Sequence, residues 1–154
     1  MTPRRRLTAA VSAGLAVAAL TGCEKPAPIV TVVSGSTSEW KEADVFCFEE
    51  GQTFEDGDCT QRSTSPTQIP VSAGQNVGVD VSREVVERGW YIELAGPGGQ
   101  GQAQQSEVQE DKHYFSFTAP QVGEGGLRLT VRAVGEGEQD APSGEWVFDL
   151  VPAD

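Results

Sequence analysis

The chain has 154 residues, the ordinary length of one domain, with 38% hydrophobic and 22% charged residues and all of its aromatic side chains from Trp40 onward. That supply of core-forming residues excludes wholesale disorder. The formal net charge of −12, with 11 basic residues against 23 acidic ones, excludes nucleic acid as a partner, because phosphate must be met by clustered Lys and Arg.

The N-terminus reads as a processing signal. Arg4, Arg5 and Arg6 form a positive start, and Leu7 to Leu20 is an uncharged run rich in Ala, Val and Leu that is too short to span a bilayer. Leu20-Thr21-Gly22-Cys23 follows and resembles the lipobox of bacterial lipoproteins. In such sequences small residues fit the peptidase subsites, and the Cys takes a diacylglyceryl group on sulfur and becomes the first residue of the mature chain. Residues 1–22 are therefore expected to be a lipoprotein signal peptide, Cys23 the lipidated residue, and residues 23–28, with Pro26 and Pro28, a short stiff tether. Two acyl chains anchor stably where one binds marginally. The expected location is the extracytoplasmic face of the cell membrane. Loss of the three arginines leaves eight basic residues against 23 acidic, a net charge of −15.

Assigning Cys23 to lipid leaves Cys47 and Cys59 as a pair in an oxidising compartment, where a disulfide is expected. Closing that loop removes roughly 3 kcal/mol of unfolded-state entropy. Cys-x-x-Cys spacing is absent, which argues against a redox pair, and His113 as the single histidine argues against zinc.

From Ile29 onward apolar residues alternate with period 2, the pattern of half-buried strands. Strands are expected at 29–33, 43–48, 69–71, 76–81, 90–94, 113–118, 127–134 and 146–151. Ser82 to Arg88 reads as one helical turn stopped by Gly89. Gly96 to Gln105 is a Gly/Gln-rich connection expected to be mobile. Seven or eight short strands in residues 29–154, separated by Gly, Pro and acidic loops, predict an all-β, immunoglobulin-like β-sandwich.

The motifs that could carry chemistry are weak. Gly96-Pro97-Gly98-Gly99-Gln100-Gly101 satisfies G-x-G-x-x-G, but a polar run follows it where a dinucleotide site needs a helix. Asp111, His113 and Ser116 could suggest a triad; no nucleophile elbow accompanies them, and period 2 puts His113 and Ser116 on opposite faces. Glu49, Glu50, Glu55, Asp56 and Asp58 crowd the Cys47 to Cys59 loop with oxygen ligands of the kind Ca²⁺ prefers, in a spacing unlike an EF-hand. Copper transfer needs Met and His ligands, and the mature chain has one His and no Met. The sequence thus implies no cofactor, no metal and no catalytic residue.

The lipobox, Cys23-Glu24-Lys25-Pro26, Cys47-Phe48-Glu49-Glu50-Gly51, and Gly78-Val79-Asp80 leading through Val85 and Val86 to Gly89-Trp90 together resemble a family of small actinobacterial lipoproteins known only as a domain of unknown function. The resemblance implies an envelope location and brings no activity with it. What is expected is a non-enzymatic, lipid-anchored protein, of undetermined oligomeric state, whose sandwich binds or organises another envelope component, an envelope protein in particular. The alternative is a small-ligand or cation receptor. A hydrophobic pocket with convergent polar groups would favour the receptor, and a flat exposed aromatic patch would favour contact with a larger partner.

Overall fold

The computed structural model describes residues 25–62, 64–135 and 141–153. Residues 1–22 and Cys23 lie outside the described residues. Eleven strands form two sheets: β1 (Ile29–Ser34), β2 (Thr37–Glu42), β3 (Val45–Phe46), β4 (Thr60–Gln61), β5 (Thr67–Val71), β6 (Asn76–Val81), β7 (Trp90–Ala95), β8 (Gln104–Gln105), β9 (Tyr114–Thr118), β10 (Leu127–Val134) and β11 (Pro142–Pro152). The smaller sheet runs β2-β1-β6-β9. The larger runs β4-β3-β11-β10-β7-β8, with β5 alongside β11. All pairings are antiparallel except β5 with β11.

The chain is an all-β sandwich. The pair β6-β9 in one sheet and the neighbours β7, β10 and β11 in the other reproduce the B-E and C-F-G arrangement of immunoglobulin-like domains. Val30, Val32, Val77, Val79 and Val81 line the inner face of the small sheet, and Ile92, Leu129, Val131, Phe148 and Leu150 line the facing side of the large one, all buried. Trp90 and Trp146 fill the same core, and each indole N–H meets a backbone carbonyl, Lys112 at 2.7 Å and Pro28 at 3.0 Å. A buried indole left without an acceptor would cost stability, so these two bonds are conditions for using Trp in the core.

Pro28 also accepts a hydrogen bond from the Ala43 N–H at 3.1 Å, and Ala27 and Pro28 are both buried. Ordered packing therefore begins before Ile29, at residues expected to serve as spacer. Ser82 precedes the single turn of α1 (Arg83–Val86), its carbonyl accepting from the Val85 and Val86 N–H groups while its hydroxyl makes no capping bond, and the turn buries Val85 and Val86 before Gly89 turns the chain at φ 78°. Strands 76–81 and 127–134 fall where the alternation puts them. The expected strand 43–48 shrinks to Val45–Phe46, although the Asp44 and Cys47 N–H groups still donate to the Glu145 and Ser143 carbonyls of β11, and the strand before it, β2, was not expected. The Gly/Gln connection is tied down rather than loose: Gly96 donates to the Gln100 carbonyl, Arg128 Nη1 donates to the Gly98 carbonyl at 3.0 Å, and β8 pairs with Glu93 and Leu94.

Cys47 and Cys59 are bonded, with their Cα atoms 4.2 Å apart, as the cysteine count predicts. Beside them, one polar cluster closes the sandwich where β2 meets β11. Lys41 Nζ donates to Asp44 Oδ1 at 2.7 Å and to the Val147 carbonyl at 3.1 Å, while Asp44 Oδ2 accepts the Val147 N–H at 2.7 Å. The Thr64 hydroxyl also donates to Asp44. Both charged side chains are about nine-tenths covered, at 8% and 12% exposure. Removing one partner of such a pair leaves the other charge uncompensated, so Lys41→Met and Asp44→Ala are each expected to cost about 3 kcal/mol. The double variant should cost clearly less than the sum of the two, since no lone charge remains. Urea unfolding of the three variants checks this, and additive losses would contradict it.

Candidate functional site

The outer faces of the two sheets differ in kind. On the large sheet, Arg132 bridges Glu93 at 2.9 Å and Glu145 at 3.1 Å, and Arg128 pairs with Asp149 at 3.1 Å. That face is polar and its charges answer one another across neighbouring strands. On the small sheet the one outward ion pair among the described residues is that of Glu42 with Arg62, at its edge. Its outer face carries the three large hydrophobic side chains that stand exposed among the described residues: Trp40 at 63%, Tyr114 at 51% and Ile29 at 40%.

Register explains their grouping. Trp40 pairs with Thr31, Thr31 with Asp80, and Asp80 with Tyr114, so the four form one rung across all four strands. Side chains alternate between faces, and burial of Val30, Val32, Val79 and Val81 turns the whole rung outward. Three inter-strand spacings separate Trp40 from Tyr114, about 14 Å. The next rung is Ser38, Val33, Gly78 and Ser116.

Gly78 shapes this surface. Its φ is ordinary, so no backbone strain calls for glycine, but a Cβ built there would stand 2.7 Å from two carbons of the Tyr114 ring. The tyrosine therefore leans across β6 with the hydroxyl end of its ring against Gly78, and about half of its surface stays exposed. A glycine inside a strand sacrifices about 0.5–1 kcal/mol and marks a close approach. Glu42 and Asp80 are the charged groups on this face. Arg62 pairs with Glu42, and Lys41 of the edge strand β2 points inward.

The other candidate residues do not assemble. A ring nitrogen of His113, Nδ1, faces the Val81 carbonyl at 3.1 Å, while Ser116 is exposed on the outer face beside the Tyr114 rung, so the residues Asp111, His113 and Ser116 form no triad. The G-x-G-x-x-G segment makes one tight 3-10 turn, Pro97–Gly99, with Gly98, Gly99 and Gly101 at positive φ, and leads to β8 rather than a helix. In the disulfide loop, the Thr53 backbone N–H at 2.7 Å and its hydroxyl at 3.0 Å both donate to Asp56 and hold that carboxyl below its ordinary range. A lowered carboxylate pKa supports the loop above that range, and the support is lost as pH falls through it. Among the described residues no three His, Cys, Asp or Glu side chains are placed to hold a metal ion. Concavities on the surface are open and measure about 220 to 380 Å³, at the floor of the range for ligand pockets.

Sequence reasoning singled out neither Trp40 nor Tyr114. The available signal was Trp40 alone within the polar run Ser38-Glu39-Trp40-Lys41-Glu42. No protein-family model, curated protein or solved structure matches the chain.

The acidic loop yields a direct prediction. Ca²⁺ and Na⁺ at matched ionic strength should raise the melting temperature by similar small amounts, because either one screens the acidic surface. Specific binding would instead add about 2.7 kcal/mol at a ligand concentration a hundredfold above Kd. A Ca²⁺ shift several degrees larger than that of NaCl, abolished in Asp56→Asn/Asp58→Asn, would contradict the prediction.

Proposed function

We propose that the mature chain is a non-catalytic, lipid-anchored module on the extracytoplasmic face of the membrane, and that it binds another envelope component through the outer face of the β2-β1-β6-β9 sheet. The observation that carries this reading is the gathering of Trp40, Tyr114 and Ile29 on that one face while the opposite face is occupied by paired charges. Exposed Trp and Tyr are enriched where proteins meet partners, since a rigid amphipathic ring gives large contact area at small entropic cost. A flat face of this breadth suits an extended partner better than a small ligand, which needs a concave site.

The anchor fits the same geometry. Lys25, the first described residue, follows Cys23 by two positions, at most about 7 Å of extended chain. Ala27 and Pro28 are already packed. A lipid on Cys23 therefore holds the sandwich close to the bilayer, with little tether to swing on. Its charge adds no attraction for anionic headgroups, so the acyl chains supply the membrane affinity.

Cross-linking in intact cells tests both parts. The full-length wild type should sediment with membranes after a high-salt wash and form discrete cross-linked adducts. Trp40→Ala/Tyr114→Ala should remain in the membrane and lose those adducts, and Cys23→Ser should be released or accumulate as uncleaved precursor. Adducts that persist unchanged in the double variant would overturn the choice of face, and unlipidated wild type free in the medium would overturn the anchor.

A further inference from the structure

The geometry points to a linear, uncharged polysaccharide as the occupant of the Trp40-Thr31-Asp80-Tyr114 rung. This rests on the reading of the small sheet's outer face as a binding surface, and it narrows the partner from chemistry present on that face.

Charge comes first. The outward positions of the four strands carry Asp80 and Glu42, the latter ion-paired with Arg62, and no cation of their own, because Lys41 is turned inward onto Asp44. Anionic polymers and phosphate headgroups would meet the Asp80 carboxylate, and Arg62, which reaches this face, is already engaged by Glu42. An uncharged ligand meets no such penalty.

The arrangement of apolar area comes next. A protein partner is held by a contiguous, desolvated centre from which charged residues are depleted. Here the order is reversed. Trp40 stands on β2 and the Tyr114 ring reaches from β9 over β6, and a hydroxyl and a carboxylate, Thr31 and Asp80, hold the rung positions between β2 and β9. Ser38, Ser116, Asn76 and Thr118 add further short hydrogen-bonding groups on the same face.

A chain of pyranose rings has the complementary layout. Each ring presents a flat C–H face that stacks on an aromatic surface and a rim of hydroxyls that both donate and accept. The Asp80 carboxylate can accept from two hydroxyls at once, and the Thr31 hydroxyl can do either. Trp40 on β2 and the Tyr114 ring over β6 lie about two inter-strand spacings apart, roughly 10 Å, the length of a short oligosaccharide segment. Gly78 fits this design, since the space left by its missing Cβ is what lets the end of the Tyr114 ring lean in over β6.

Fluorescence provides the test, because Trp90 and Trp146 are fully buried and Trp40 is 63% exposed, so a change in the exposed component of the emission reports on Trp40. The processed full-length lipoprotein, held in a sugar-free detergent, is titrated with chitohexaose and with cellohexaose. A saturable blue shift with at least one of them is expected, insensitive to added NaCl. By calorimetry, Trp40→Ala, Tyr114→Ala and Gly78→Ala should each weaken binding by about tenfold or more, while Trp40→Phe should stay within about threefold of wild type. Gly78→Ala separates function from folding, since it displaces the Tyr114 ring without demanding a forbidden φ; its melting temperature should stay near that of wild type. No saturable binding of either oligosaccharide, or equal binding by Trp40→Ala, overturns the glycan assignment. If the saccharides fail while cross-linked adducts still depend on Trp40 and Tyr114, the glycan is wrong and the binding face stands. If the adducts are also independent of those residues, both fall.

Discussion

Burial of the valines of β1 and β6 against the large sheet is the constraint from which the rest of the surface follows. Val30 and Val32 on one strand and Val77, Val79 and Val81 on its neighbour are all buried, and a slip of one residue would place Asp80 in the core and Val79 in water. Register is strongly specified wherever one face of a strand is buried. Once it is set, Thr31, Val33, Gly78 and Asp80 must face out, and β2 and β9 bring Trp40 and Tyr114 to the two ends of one rung. The aromatic surface is thus positioned by the core, although its own rings contribute little to that core.

Strand β2 shows the same logic inverted. Its buried side chain is Lys41 and its most exposed large one is Trp40, the opposite of what burial alone would choose. Lys41 is tolerated inside because Asp44 and the Val147 carbonyl receive its ammonium group and the Phe148 ring lies 5.8 Å from it. An inward-pointing charge on an edge strand also discourages pairing with another chain, which an exposed row of free N–H and C=O groups would otherwise invite. The cluster around Asp44 therefore does two things: it seals the gap between the sheets, and it leaves the outer face of β2 free for the one residue that no packing requirement explains.

This inversion decides what was legible in the sequence. Strands β6 and β10 are readable because Val77-Gly78-Val79-Asp80-Val81 and Leu127-Arg128-Leu129-Thr130-Val131 alternate in the ordinary sense, and the Ser82 to Gly89 turn announces itself by its glycine stop. The Cys47 and Cys59 pair follows from counting. Strand β2 does not read as a strand, because Thr37-Ser38-Glu39-Trp40-Lys41-Glu42 offers no apolar residue at its buried positions. Strands β4 and β8, of two residues each, are too short to show a period; β5 is readable at 69–71, but its parallel place beside β11 comes from pairing over a long sequence separation. The candidate site was hidden for the same reason: the four residues of the rung come from four strands, and only the register unites them.

The central claim is that Trp40 and Tyr114 are surplus to folding, and equilibrium urea unfolding of Trp40→Ala/Tyr114→Ala bears on it most directly. Substitutions at exposed positions away from caps, cavities and buried polar groups change stability by about 0.5 kcal/mol or less, with a small addition here for the lost contact of the Tyr114 ring with β6. The double variant should therefore unfold with the wild-type denaturant dependence and a stability lower by less than about 1 kcal/mol. A loss of several kcal/mol would show that the two rings hold the sheet together, and that their exposure is a by-product of structure rather than a surface kept for a partner.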